Sequence, residues 1–353
     1  IGDCAFAGCG SLTVPELPRA VSQVGASAFC QTANRNPIFI DNGATLCYVP
    51  AAFTTYTIPQ TVTKITGGAF EYCANLTGVS LPNSVTELDD YTFAGCGKLT
   101  TVSLPAGLTR LGESVFRDCG HLSAVNLPNS LRSIGRNAFS GCKALADLSV
   151  PNQVTEIGDY AFLNCFNLQT LKLSANLTAI GQYAFGYCYN LENFALPNRL
   201  ETIGAHAFEE CDSLTSLTIP PTVTKLGGGA FGHCYNLAAV KLEPGLNAEA
   251  GVGLCLGTSL KQPLIIGHTL CYVPAAYQTY TVPDSVTKIA GGAFAGSDTL
   301  TKVVIPASVT EIGPEAFLDC FKLKNLELPP SLTAIGAGAF KGCASLSAVS
   351  LPR

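Results

Sequence analysis

Apolar and polar positions change their period within one short segment that recurs along the chain. In YTFAGCGKLTTVSLP, residues 91–105, the apolar residues Phe93, Cys96 and Leu99 lie three positions apart, which is typical of one face of a helix. The TTVSLP that follows alternates polar and apolar residues, as a strand with one buried face does. The pattern predicts a helical turn followed by a short strand.

The phenylalanine of this segment recurs over most of the chain at one fixed interval, the 23 residues from Phe93 to Phe116. A fixed period of this length is typical of a solenoid, in which neighbouring repeats stack because none can bury its apolar face alone. We therefore expect one right-handed α/β repeat solenoid over residues 1–353, with about fourteen repeats and one strand and one helical turn in each. The regular series is Phe70, Phe93, Phe116, Phe139, Phe162, Phe185, Phe208 and Phe231, and the same interval separates Phe6 from Phe29 and relates Phe294, Phe317 and Phe340.

Two stretches break this period, and both contain a near copy of one sequence. Phe29 and Phe70 stand nearly two periods apart with no phenylalanine of the series between them. Phe294 likewise lies nearly two periods after Leu254, which we assign to the phenylalanine position of its repeat. The two copies are TLCYVPAAFTTYTIPQTVTKITGGAF at 45–70 and TLCYVPAAYQTYTVPDSVTKIAGGAF at 269–294.

The approach to the first copy carries a turn signal. Asn42-Gly43 lies between two apolar segments, and Asn-Gly is the strongest short-range signal of a tight β-hairpin. We expect two hairpin-like insertions, 31–58 and 256–282, each of which replaces one ordinary repeat. The chain opens within a repeat, at IGDCAF, and ends soon after a strand, so we interpret it as part of a longer protein.

Composition narrows the classes of function. The chain has 47% apolar and 13% charged residues, which is ample material for a continuous core. Its net charge of −5 and its pI near 5.4 give no electrostatic reason to expect binding to nucleic acid or to an anionic membrane. No apolar run approaches the roughly 18–20 residues of a membrane-spanning helix. We therefore expect neither a nucleic-acid partner nor a membrane span.

Most of the sixteen cysteines occupy one position of the repeat. In register they form a column inside the core, where a free thiol behaves as a small apolar residue. Ser297 takes this position once, which packing tolerates and an obligatory pairing would not. The chain has no CxxC pair and only four histidines, so we expect no metal site. This thiol column comprises Cys9, Cys73, Cys96, Cys119, Cys142, Cys165, Cys188, Cys211, Cys234, Cys320 and Cys343.

Four further cysteines fall in or beside the two insertions, outside the column. Cys30 with Cys47, and Cys255 with Cys271, recur at similar places in the two copies. One interpretation is a disulfide that staples each hairpin to its repeat, which suits an extracellular protein. The other is two pairs of small core residues. The sequence leaves both interpretations open.

No constellation for catalysis emerges from the repeat. The histidines at 121, 206, 233 and 268 occupy different repeat positions and share no acid or nucleophile. The GGAF segments lack the Lys-Ser or Lys-Thr of a phosphate-binding loop and lie where every repeat turns. We expect no active site and no cofactor.

The repeat AFxxCxxLxxVxIPxxVxxIG resembles the BspA-like leucine-rich repeat, and the resemblance covers nearly the whole chain. It implies a leucine-rich repeat solenoid in a cell-surface or secreted, non-enzymatic protein. Such a protein mediates adhesion by contacting host, matrix or neighbouring-cell proteins. The alternative is a structural subunit of a filament or surface layer, because strand edges at uncapped ends can stack head to tail.

Two surfaces are candidates for a partner. The outward positions of the predicted strands are small, polar and lightly charged, and we interpret that sheet as mainly solvated. The loop beside the predicted helical turn is rich in aromatic residues, and such a group indicates an interaction patch. Alternatively, the rings pack on one another and cover neighbouring repeats. This set, the aromatic edge, comprises Tyr160, Phe166, Tyr183, Tyr187, Tyr189, His206, His233 and Tyr235.

Overall fold

The structure, a computed structural model, describes residues 1–13 and 16–350. The chain forms two compact units, Ile1–Pro197 and Asn198–Arg353. Each is a parallel-strand solenoid built from the same repeat. That the two form one continuous solenoid stays a prediction from the sequence.

The described strands of the N-terminal unit are β1 (Ile38–Ile40), β2 (Thr45–Tyr48), β3 (Thr55–Thr57), β4 (Lys64–Ile65), β5 (Gly78–Ser80), β6 (Glu87–Leu88), β7 (Thr101–Ser103), β8 (Arg110–Leu111), β9 (Ala124–Val125), β10 (Ser133–Ile134), β11 (Asp147–Ser149), β12 (Glu156–Ile157), β13 (Thr170–Lys172) and β14 (Ala179–Ile180). Those of the C-terminal unit are β15 (Thr202–Ile203), β16 (Ser216–Ile219), β17 (Lys225–Leu226), β18 (Ala239–Leu242), β19 (Glu249–Ala250), β20 (Leu264–Ile266), β21 (Thr269–Tyr272), β22 (Thr279–Thr281), β23 (Lys288–Ile289), β24 (Lys302–Val304), β25 (Glu311–Ile312), β26 (Asn325–Glu327), β27 (Ala334–Ile335) and β28 (Ala348–Ser350).

An ordinary repeat contributes two strands, not the one that the sequence predicts. Strand β7 buries Val102 between two exposed residues, and strand β8 buries Leu111 beside exposed Arg110. Both pair in parallel with the equivalent strands of the next repeat, so that Val102 lies opposite Val125. The solenoid therefore presents a long-strand face, from strands such as β7, and a short-strand face, from strands such as β8.

The predicted helical turn is wrong, because the segment around each phenylalanine forms a third ladder between repeats. The backbone N–H groups of Tyr91, Phe93 and Gly95 donate to carbonyls of the next repeat at 2.7–2.9 Å. Tyr91 and Gly95 have φ of +60° and +72°, which interrupts any helix. Within the repeat, Cys96 N–H donates to the Phe93 carbonyl at 3.2 Å. Successive three-residue turns therefore produce the helix-like spacing without a helix.

The core is a stack of phenylalanines along each unit. In the N-terminal unit, Phe116, Phe139 and Phe162 are fully buried and their ring centroids lie 5.2 Å apart. In the C-terminal unit, Phe294 and Phe317 stack at 4.6 Å. Stacked aromatic pairs contribute about 0.5–1.5 kcal/mol beyond the burial of their area. The fixed period of the phenylalanines thus corresponds to an aromatic column over each run of consecutive repeats that carry a phenylalanine.

A column of glycines lets neighbouring backbones approach where each repeat turns after its short strand. Gly135 N–H donates to the Leu111 carbonyl at 3.1 Å. A β-carbon placed on Gly135 would lie 2.5 Å from the carbonyl oxygen of Gly112, far inside van der Waals contact. A β-carbon placed on Gly158 would likewise lie 2.8 Å from the backbone nitrogen of Arg136, in the repeat before it. Only glycine fits such a contact.

Each insertion contains an antiparallel pair of strands. Strands β1 and β2 pair through a turn of 3-10 helix, Asp41–Gly43, which is the only helical element among the described residues. Strand β2 then pairs in parallel with β4, Leu46 opposite Ile65. Strands β20, β21 and β23 repeat this arrangement in the C-terminal unit. The boundaries 31–58 and 256–282 stay predictions.

The sequence assignment of Leu254 to the phenylalanine position is wrong by one residue. Phe208 N–H donates to the Ala230 carbonyl, and Phe231 N–H donates to the Leu254 carbonyl in the same way. Leu254 therefore occupies the position of Ala230, and Cys255 replaces the phenylalanine. One extra residue between residues 231 and 254 shifts the register, which a fixed period cannot show.

Candidate functional site

The short-strand face carries charges that pair within the chain. Lys288 and Glu311 lie opposite each other on β23 and β25, with Nζ 2.8 Å from Oε1. In the N-terminal unit, Arg110 reaches Asp89 and Asp90 at 3.8 and 3.6 Å. These partners are more than a third exposed, so each pair adds only about 0–1 kcal/mol. We interpret this face as a solvated surface.

The long-strand face is polar and nearly uncharged over strands β3, β5, β7 and β9. Further along, a shallow groove of about 560 Å³ lies over β9, β11 and β13. Asp147 in this groove accepts a hydrogen bond from Thr170, and Lys172 lies on the same strand as Thr170. The described residues that line this groove include no aromatic side chain, and a largely solvated sheet stays a prediction.

The aromatic edge of the N-terminal unit consists of stacked pairs. Tyr160 and Tyr183 have ring centroids 5.6 Å apart and an interplanar angle of 10°. Phe166 and Tyr189 lie at 5.3 Å, and Tyr187 meets Tyr189 edge to face at 6.3 Å. All five rings are half-buried. The rings therefore cover one another and stay partly exposed, and the interaction patch stays a prediction.

Gly186 lies beside the Tyr183 ring, in the same repeat as Tyr187 and Tyr189. A β-carbon on Gly186 would lie 3.0 Å from Cδ1 of Tyr183 and 3.2 Å from a methyl group of Leu163. Gly186 directly precedes Tyr187, whose ring contacts Tyr189. The absence of a side chain at Gly186 lets the Tyr183 ring lie flat against the backbone. Both stacked pairs join the same two neighbouring repeats, those of Phe162 and Phe185.

Several of these aromatic residues have a left-handed backbone. Tyr160, Tyr183 and Tyr187 have φ of +59°, +51° and +60°. Such a conformation costs an L-residue roughly 1–2 kcal/mol. The third ladder imposes this left-handed conformation on two positions of most repeats, two residues before and two residues after the phenylalanine position. Tyrosine itself does not favour positive φ, so the available signal was the glycine at equivalent positions of other repeats, such as Gly68 and Gly95.

Three cations lie over rings on this side of the N-terminal unit, a feature that the sequence analysis missed. Arg136 sits 5.1 Å from the Tyr160 ring centroid and Lys143 sits 5.7 Å from that of Phe166. Arg117 covers Tyr91 at 5.7 Å. Cation–π contacts of this kind contribute about 0.5–1 kcal/mol at exposed sites. The available signal was a stretch without Asp or Glu, residues 119–146, that contains both Arg136 and Lys143.

The remaining members of the predicted edge lie in the C-terminal unit. His206 Nδ1 is 3.2 Å from Glu209 Oε1, and His233 lies 6.0 Å from Tyr235, ring to ring. Tyr235 is the most exposed of the set, at 52%. His206 and His233 share the positive φ of the tyrosines. As a binding patch, the whole set stays a prediction.

The thiol column is hydrogen-bonded to the phenylalanine column. Cys96 Sγ donates to the Phe70 carbonyl at 3.2 Å, and Cys142 Sγ donates to the Phe116 carbonyl at 3.1 Å. Burial raises the pKa of the Cys73 thiol from 9.0 to about 12 and that of Cys142 well above its ordinary value. These thiols stay protonated, and unreactive, in the native state because the thiolate is the nucleophile.

The four cysteines beside the insertions are also free thiols in the structure. Burial and then Glu71 raise the pKa of Cys30, whose Sγ lies 3.8 Å from the Glu71 carbonyl oxygen. The Cys47 thiol instead lies near the Thr45 carbonyl, at 3.9 Å. Cys271 is among the groups that raise the pKa of Cys255. A disulfide at either pair stays a prediction, and the register shift at Leu254 removes the argument that Cys255 is equivalent to Cys30.

Alkylation of the folded protein should distinguish exposed thiols from buried ones. At about pH 8, iodoacetamide should modify Cys4 and Cys9, which are exposed, and leave the column from Cys96 to Cys188 unmodified. Peptide mapping by mass spectrometry without reduction measures both this protection and any disulfide. Unfolding in denaturant is the control, since every free thiol should then react. Modification of Cys142 in the folded protein would contradict the buried column.

The described residues do not bring together three or more His, Cys, Asp or Glu side chains in a way that could hold a metal ion. Nor does a helix in the described part of the chain have the length and apolar character to cross a membrane.

Comparison with known proteins identifies the family. A family model described as "BspA type Leucine rich repeat region (6 copies)" matches residues 1–49, 43–165, 111–238 and 265–353. The chain therefore belongs to the BspA-type leucine-rich repeat family, and the resemblance that the repeat shows is confirmed. No curated protein sequence matches the chain significantly.

Solved structures of leucine-rich repeat proteins share the fold. A leucine-rich repeat protein from Bacteroides ovatus is 24% identical with a TM-score of 0.64, and the match covers 89% of this chain and 92% of that one. A leucine rich cell surface protein from Faecalibacterium prausnitzii is 24% identical, with a TM-score of 0.59 and the same coverage. A leucine-rich repeat protein from Eubacterium ventriosum is 20% identical with a TM-score of 0.50, over 87% of this chain and 67% of that one.

Proposed function

We propose that the chain is a non-enzymatic adhesion module at the cell surface or outside the cell. It binds a protein of a host, a matrix or a neighbouring cell through the aromatic edge. The observation that carries this proposal is the group of five half-buried rings in the N-terminal unit. Aromatic side chains anchor interfaces because they bury a large area at a low cost in conformational entropy.

Two further observations support it. The cell-surface protein from Faecalibacterium prausnitzii has the same fold, which makes a surface location a reasonable expectation for this chain. The other extended faces offer less, since several charges of the short-strand face, such as Lys288 and Glu311, are paired within the chain and the groove of the long-strand face lacks aromatic residues.

Truncating the edge tests the proposal. We expect the triple variant Phe166→Ala, Tyr187→Ala, Tyr189→Ala to lose most of the adhesion of protein-coated beads to cultured epithelial cells and to purified matrix proteins. The reason is that a few aromatic anchors carry most of the binding energy of an interface. Bead retention under flow measures the loss, and circular dichroism checks the fold.

The matched control removes exposed rings outside the N-terminal edge. Tyr72 and Phe321 are both large exposed apolar residues, so Tyr72→Ala with Phe321→Ala deletes comparable surface. Adhesion should survive in this control. Equal retention by both folded variants would reject the edge as the binding surface. Growth of oligomers with concentration, in light scattering of the unmodified chain, would instead favour the structural subunit.

A further inference from the structure

The chemistry of the aromatic edge also defines the class of partner, an inference that rests on the proposed function. Arg136 and Lys143 lie over Tyr160 and Phe166 at 5.1 and 5.7 Å. Both side chains are exposed. The rings therefore hold two positive charges at the rim of the aromatic surface, within one repeat.

These two cations lie over aromatic rings, whereas Arg110 and Lys288 lie against carboxylates. Arg110 pairs with Asp89 and Asp90, and Lys288 pairs with Glu311. Among the described residues, neither Arg136 nor Lys143 forms an ion pair with a carboxylate. The rings attract their charge without neutralising it, because a ring supplies a quadrupole and no net charge.

Acidic groups of neighbouring repeats have other partners. Asp118 pairs with Arg117 at 3.5 Å. The Asp159 carboxylate accepts the backbone N–H of Gln182 at 2.7 Å. Residues 119–146, which include Arg132 as well as Arg136 and Lys143, contain no Asp or Glu. Arg136 and Lys143 are thus two exposed cations, held against rings and not against carboxylates, on a chain whose net charge is −5.

We infer that the aromatic edge binds an acidic segment of a protein, with Asp or Glu carboxylates of the partner on Arg136 and Lys143 and its apolar side chains on the rings. Charge complementarity selects this partner, since a basic segment would be repelled by the same rim. Arg136 can form two parallel hydrogen bonds to one carboxylate, and Lys143 supplies a point charge. The rings hold both cations in place and so lower the entropy lost on binding.

The test uses three short fluorescein-labelled peptides, of alternating Glu and Tyr, Ser and Tyr, and Lys and Tyr. Fluorescence anisotropy should show that the full chain binds the Glu-Tyr peptide about tenfold or more tightly than the Ser-Tyr peptide, with no binding of the Lys-Tyr peptide. The double variant Arg136→Gln, Lys143→Gln should lose this preference. Arg136→Lys should keep most of it, because the charge remains. Lys225→Gln with Lys302→Gln, which removes two exposed cations of the C-terminal unit, should leave it unchanged.

The outcomes separate this inference from the proposed function. If the aromatic variant loses adhesion while the Arg136 and Lys143 variant keeps both adhesion and peptide binding, the edge is the binding surface and the acidic partner is wrong. If neither variant changes adhesion, both proposals fail. Binding of a sulfated heparin fragment through Arg136 and Lys143, without binding of the Glu-Tyr peptide, would overturn the acidic protein segment in favour of a glycan.

A measurement on the unmodified chain keeps the inference testable if a variant does not fold. Raising NaCl from about 50 to about 500 mM should weaken binding of the Glu-Tyr peptide, because salt screens exposed charges. Binding of the Glu-Tyr peptide that does not change with salt would contradict the inference.

Discussion

Replacing Phe139 with Ala is expected to lower the free energy of unfolding by about 3–5 kcal/mol, the range found for large-to-small changes of aromatic core residues. Phe139 is fully buried and stacks on Phe116 and Phe162, both at 5.2 Å. The substitution interrupts the aromatic column in two directions and leaves a cavity that the rigid ladders on either side cannot close. Urea unfolding followed by circular dichroism measures the loss.

Phe139→Leu provides the matched comparison. Leucine keeps the site apolar and fills much of the cavity, so the loss should be clearly smaller than for alanine. The same alanine substitution at Phe6, which is 37% exposed, should cost much less than at Phe139. Similar losses at Phe6 and Phe139 would show that burial within the column does not set the cost.

Replacing Gly135 with Ala should destabilise the protein by about 3 kcal/mol or more, although it adds a single methyl group. The added β-carbon would lie 2.5 Å from the carbonyl oxygen of Gly112 and 2.9 Å from that of Leu111. Both atoms belong to the backbone of the neighbouring repeat, so relief requires the two repeats to separate at this corner. The Gly135 N–H bond to Leu111 would weaken at the same time.

Gly120→Ala, at an open turn of the same unit, is the matched control. A β-carbon at Gly120 meets nothing within 4 Å, and its φ lies outside the left-handed region. The change should be close to neutral, because alanine also reduces the entropy of the unfolded chain. Equal midpoints of thermal unfolding for the two variants would contradict the steric origin of the glycine column.

The sequence predicted the repeat, the longer of its two strands and its core, but neither the short second strand nor the turns. The interval between Phe93 and Phe116 corresponds directly to one step of the aromatic column, because a solenoid repeats the same environment at every turn. The helical turn failed because the apolar spacing of Phe93, Cys96 and Leu99 is common to a helix and to a series of tight turns. The choice between them depends on positive φ at Tyr91 and on bonds to the next repeat, which local spacing does not encode.

In the candidate site, the sequence likewise predicted contacts between equivalent positions of the repeat and missed contacts between different positions. Position in the repeat was enough to predict that equivalent residues such as Phe166 and Tyr189 stack, and their rings do so at 5.3 Å. The cations escaped notice because Arg136 and Tyr160 occupy different positions of the repeat. They meet only because the side chain of one repeat reaches across to the next. Contacts between unlike positions need the three-dimensional path of the chain.

The thiol column makes the order of folding and oxidation matter for this protein. In the unfolded chain each column cysteine is an ordinary thiol, free to form disulfides in an oxidising compartment. In the native state Cys142 is buried, protonated and bonded to the Phe116 carbonyl. Each column cysteine is enclosed by the repeats on both sides of it, and its bond reaches a carbonyl only 26 residues away, as from Cys142 to Phe116. Folding thus protects the column cysteines from oxidation by burying them. Contacts of short sequence separation favour fast folding, so that the thiols are buried before they are oxidised.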